Sequence, residues 1–137
     1  MSVPHLADKY RSELLSIAQL QNAMEAIPEV FRKLLGECIV TAYYGFGTNI
    51  HNDLQYVPMR VGTRWINEFI IDSIERGIVI PGGSDFSFNT PNGQLQVLFC
   101  HERDIHLSGY DDDIIQQFIS ELPFSGIRFC QLTTSEW

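Results

Sequence analysis

The segment Cys100-His101-Glu102-Arg103-Asp104-Ile105-His106 concentrates more chemistry than any other stretch of the chain. It offers a thiol, two imidazoles and two carboxylates within one short turn. A zinc site would need three or four such groups converging tetrahedrally. The spacing matches no established ligand pattern, and in a hairpin His101 and His106 can face opposite sides. Cys100 near a histidine is also the raw material of a nucleophile–base pair. Adjacent strand residues point to opposite faces, so a strand running through both would keep Cys100 and His101 apart. Cys100 and His106 could meet across the hairpin. The plainer account is a polar hairpin tip beside a buried, inert thiol. On that account the expectation is no catalytic residue, no metal and no cofactor.

Two other stretches invite a chemical reading. Gly45-Phe46-Gly47 follows a predicted strand, as a phosphate-binding loop would. Ile50 stands where the third glycine of the dinucleotide fingerprint belongs, so a turn is the expectation. Asp111-Asp112-Asp113 lacks the alternating ligands, the glycine and the closing Glu of a calcium loop. Its acidic side chains suit the positive end of a helix and can cap it. With Glu102 and Asp104 on the preceding turn, Asp111, Asp112 and Asp113 could form an acidic surface for a basic protein. These five carboxylates are the candidate partner-binding residues.

The elements that must position these groups follow from periodicity. Ser84–Gly109 reads as three consecutive antiparallel strands. Phe86 and Phe88 alternate with polar residues, Thr90-Pro91-Asn92-Gly93 supplies a tight turn, and Leu95, Val97 and Phe99 continue on one face. Ile105 and Leu107 return after the polar reversal. Helical spacing predicts helices over about 5–26, 29–36, 62–76 and 112–122, with a break at Ile27-Pro28. Cys38–Tyr44 and Ile127–Leu132 read as strands, and a short strand fits around Leu54–Val57. The last strand–helix–strand piece could place its final strand parallel to a neighbour by a crossover. The predicted fold is α+β: one domain over 1–137, with a mostly antiparallel sheet covered by helices around the central meander at about 84–108. Phe86, Phe88, Leu95, Val97, Phe99, Ile105 and Leu107 are expected to share a core with Trp65, Phe69 and Leu14.

Bulk properties narrow the partner. The chain has 137 residues, 45% of them hydrophobic, enough for a sizeable core. The formal net charge of −8 argues against nucleic acid or an anionic membrane as a ligand. Three cysteines without a CxxC pair suit free thiols in a reducing compartment. No basic leader precedes an apolar segment, and no run reaches the roughly 20 apolar residues of a membrane span. The expected location is the cytoplasm.

In size, charge and architecture, the whole chain resembles the small acidic immunity proteins that bacteria encode beside secreted toxins, including those of contact-dependent growth inhibition. The resemblance implies a non-catalytic protein that binds and neutralises a cognate toxin domain, one that is basic and nuclease-like. It assigns no role to any individual residue. Two alternatives stay open. One is a small enzyme or metal-binding protein using the His101/His106 turn. The other is a structural or regulatory module that self-associates, for instance as a homodimer.

Overall fold

Alternating residues decide which face of each strand is buried, and here they divide one sheet into two unlike surfaces. The computed structural model describes residues 8–122 and 126–132. Among these, seven strands and three helices follow in the order β1 (Tyr10–Ser12), α1 (Ile17–Leu35), β2 (Ile39–Tyr44), β3 (Met59–Gly62), α2 (Ile66–Glu75), β4 (Phe86–Asn89), β5 (Gln96–Phe99), β6 (Ile105–Ser108), α3 (Asp112–Glu121) and β7 (Phe129–Gln131). The sheet order is β3-β2-β4-β5-β6-β1-β7, and every neighbouring pair is antiparallel. This is an α+β fold built on the expected meander, β4-β5-β6.

The three helices pack over one face. Phe31 of α1 meets Phe88 of β4 edge-on at 6.2 Å and also meets Phe118 of α3. Phe69 of α2 lies against Phe86, Phe88 and Tyr44. Phe86, Phe88, Leu95, Val97, Phe99, Ile105 and Leu107 are all buried in that single cluster. Burying a large apolar side chain is worth roughly 1.5–3 kcal/mol, so this face dominates the folding energy. Ser73 is the polar exception in α2. It bonds the Tyr44 hydroxyl and donates to the Phe69 carbonyl, which leaves neither hydroxyl unpaired.

Several expectations are corrected. Helix 5–26 is not formed as predicted: residues 5–7 lie outside the described residues, Tyr10–Ser12 is a strand, and the helix starts at Ile17. Its start is fixed by a capping box, in which Ser16 accepts from the Gln19 amide and Gln19 accepts from the Ser16 amide. The separate helix 29–36 is the second half of the same element, because α1 runs through Pro28. Leu20, Met24, Ile27, Val30 and Phe31 form one buried stripe across the proline. Packing along that stripe outweighs one missing amide donor.

Leu14 is 69% exposed, since it precedes the helix, and Trp65 is 59% exposed. Trp65 sits in a 3-10 turn, Thr63–Trp65, and the buried stripe of α2 begins one residue later with Ile66, Ile70 and Ser73. The strand expected near Leu54–Val57 is instead a 3-10 turn at Asn52–Leu54, with β3 following at Met59. The final strand has no parallel neighbour in the sheet. β1 inserts between β6 and β7 and pairs antiparallel with both, because the N-terminal segment is extended rather than helical.

Candidate functional site

The face turned away from the helices carries the alternate residues of the same strands. Register places Tyr43, Ser87, Leu98, His106 and Arg11 in one cross-strand row, and Thr41, Asn89, Gln96 and Ser108 in the next. The loop between β2 and β3 approaches this face, with the Tyr56 amide bonded to the Tyr44 carbonyl. Gly47 anchors the loop's other side. Its φ is +79°, and a Cβ there would lie 2.3 Å from the Gly83 carbonyl oxygen. Only glycine tolerates both conditions, so close backbone approach accounts for the glycine-rich turn that resembled a phosphate loop.

Two histidine–carboxylate sites lie at one end of this face. Asp85 Oδ1 accepts from the His101 backbone amide at 2.7 Å and lies 2.8 Å from its Nδ1. The Phe46 ring packs on the imidazole at 4.7 Å. His106 is more enclosed. Its Nδ1 is 2.9 Å from Asp8 Oδ2 and its Nε2 is 3.0 Å from Asp104 Oδ1. Arg11 adds a second cation to both carboxylates, at 3.7 Å and 3.9 Å. Burial is the largest single influence on His106 and opposes its charge. Hydrogen bonds to Asp8 and Cys100 and the charges of Asp104 and Asp8 overcome it, and the pKa is pushed up to about 10. At neutral pH His106 is therefore an imidazolium with both N–H groups occupied.

Cys100 lies between the two sites. The condition that would keep Cys100 and His101 apart, a strand running through both, is not met, because β5 ends at Phe99 and both residues follow it. Sγ is 3.8 Å from His101 Nδ1 and accepts from the Glu102 amide at 3.5 Å. Ligand atoms of Asp85, Cys100 and His101 fall within 4.8 Å of one another, as do those of Cys100, Asp104 and His106. The first trio could take a metal if the His101 Nδ1 proton were displaced. The second could not without breaking the pairing of His106. Neither has the geometry of a nucleophile–base–orienter relay. His106 at pH 7 has no lone pair to accept a proton, and His101 meets Cys100 and Asp85 through the same nitrogen.

The five predicted carboxylates are not brought together. Glu102 is exposed at the β5–β6 turn, whereas Asp104 beside it is buried against His106 and Arg11. Asp111, Asp112 and Asp113 follow the far end of β6, four strand residues away, roughly 13 Å. Asp111 caps α3 by accepting from the Ile114 amide, as expected of one of the three. Asp112 pairs with Lys9 at 2.9 Å. Sequence reasoning missed Asp8, Asp85 and Arg11. Strand register finds them: that of the β4–β5 hairpin for Asp85, and that of β1 for Asp8 and Arg11, which requires the N-terminal segment to be extended.

Compared with protein-family models, curated proteins and solved structures, the chain matches none. No helix among the described residues is long and apolar enough to cross a membrane.

Proposed function

We propose that this chain is a non-catalytic immunity protein that binds and neutralises a basic, nuclease-like toxin domain. One observation carries the proposal: all three helices cover one face of the sheet, and the other face is left open with a groove lined by Tyr56, Asp85 and Leu98, next to a β2–β3 loop that exposes Phe46, Leu54, Tyr56 and Val57. Large exposed apolar side chains beside a groove with a few polar groups are the composition of a protein-binding surface. The groups able to do chemistry support the same reading, because they hold one another rather than a substrate. A charge of −8 steers a basic partner over long range, while affinity comes from the desolvated apolar contacts.

The test is binding between the purified chain and the product of the gene beside its own. A toxin partner should bind tightly and one to one, with association slowed by salt as the Debye length falls from ~30 Å at 0.01 M to ~8 Å at physiological strength. No binding at micromolar concentration would end this reading. A metal-binding reading has its own specific support in the convergence of Asp85, Cys100 and His101. Elemental analysis of protein purified without added metal separates the two, and stoichiometric zinc would favour the metal.

A further inference from the structure

The open face contains a groove of about 210 Å³ whose lining includes Tyr56, Asp85, Ser87, Asn89, Gln96 and Ser108. Its charges are unevenly spent. His106 and Arg11 are balanced by Asp8 and Asp104, so that corner of the floor is close to neutral. Asp85 differs. Both of its hydrogen bonds fall on Oδ1, which leaves Oδ2 as a carboxylate acceptor, and Asp85 lines the groove together with Ser87. Asn89 lies two residues along the same strand and adds an amide oxygen. Tyr56 is 43% exposed and presents an aromatic wall. A carboxylate oxygen, neutral acceptors and an aromatic ring lining one groove favour a cation over an anion.

We propose that the groove receives the guanidinium of one arginine side chain from the protein partner, with Tyr56 forming the apolar wall against which it lies. Arginine is the fitting cation because its planar guanidinium can bond the Asp85 carboxylate while stacking on Tyr56, whose ring meets the same spot beside Gly45 as Asp85 does. This rests on the partner-binding reading for the identity of the donor, but the groove can be tested alone. It also moves the contact surface away from Glu102 and Asp111–Asp113, which then act only through long-range attraction.

The experiment titrates N-acetyl-arginine methylamide into the isotopically labelled full chain and follows backbone amides by NMR. Citrulline, the neutral isostere, and the lysine analogue are run beside it. Saturable shifts at Ser87, Asn89 and Gln96, with a Kd on the order of 1 mM, are expected for arginine. Citrulline should bind at least about tenfold more weakly, since it lacks the charge. Asn89→Lys should abolish the response, and Tyr56→Ala, on the exposed rim, should weaken it severalfold without disturbing the remaining spectrum. Asp112→Lys should change nothing.

Equal response to citrulline, stronger response to lysine, or shifts centred on Asp111–Asp113 would each overturn the proposal. A response seen only in a chain lacking residues 1–7 would make the groove's occupant the chain's own N-terminus and would overturn it too. If arginine binds as expected and the neighbouring gene product does not, the groove stands and the toxin reading falls.

Discussion

Phe88 and Asn89 are adjacent in β4, yet they meet opposite environments. Phe88 is fully buried under α1 and α2, whereas Asn89 lines an open groove on the other side. The same contrast separates Phe99 from Leu98 and Leu107 from His106. One face is a continuous apolar cluster whose members are interchangeable in kind. The other mixes Tyr43 and Leu98 with particular polar groups, among them His106, Arg11 and Ser108 with their partners. Stability therefore resides mainly on the first face, and specificity can be written on the second at those groove positions that lie away from the His106 pairs.

The sharpest way to break this comparison is to truncate neighbours on opposite faces. Phe99→Ala should lose ~3–5 kcal/mol through cavity formation. Leu98→Ala, half-buried on the open face, should lose less than about 1 kcal/mol. Denaturant unfolding of both variants measures the difference. Equal losses would mean that the second face is packed as tightly as the first.

The next effect tests whether the His106 site is scaffold. Removing the imidazolium takes a close hydrogen-bonded cation from the enclosed carboxylates of Asp8 and Asp104, which keep Arg11 only at 3.7 Å and 3.9 Å, so His106→Asn should cost about 3 kcal/mol. Its pH dependence has a definite sign. The folded pKa of about 10 lies above the ordinary 6.5, so the contribution is complete below about pH 6.5. It then falls as the pH rises through about 10. The wild-type chain should lose stability over that window, and His106→Asn should lose much less. A wild-type profile that rises there would contradict the pairing of His106 with Asp8 and Asp104.

The first face was legible because one period governs it. Phe86, Phe88, Leu95, Val97 and Phe99 announce a buried strand surface without reference to anything remote, and the α+β class follows. The second face was not legible, because its partners lie far apart in sequence. Asp8 meets His106 across 98 positions, and Asp85 meets His101 across 16. Misassigning residues 8–16 as helix removed β1 and with it any chance of placing Asp8 or Arg11. The signal that would have helped was local: Ser16 and Gln19 form a capping box, which marks the true helix start. Asp104 misled in another way, since a charged residue in a turn reads as surface while its side chain is only 10% exposed.

A smaller effect concerns the acidic run at α3. Asp111→Ala removes the cap on the Ile114 amide and should cost about 1 kcal/mol. Asp113→Ala, exposed in the first turn, should cost only a few tenths through the helix dipole. Thermal or chemical unfolding distinguishes them. Equal losses would mean that charge rather than geometry stabilises this helix start.

The smallest effect is the most informative about surface charge. Lys9 and Asp112 pair at 2.9 Å with side chains 40% and 70% exposed. Water and salt screen such a pair, and holding two mobile side chains together opposes it. A double-mutant cycle with Lys9→Ala and Asp112→Ala should give a coupling below about 0.5 kcal/mol, vanishing as ionic strength approaches 1 M, where the Debye length is about 3 Å. Set beside the loss at His106, that value would show that ion pairs on this protein matter where the sheet encloses them. A coupling above 1 kcal/mol that survives high salt would give the α3 end a structural role like that of the enclosed pairs.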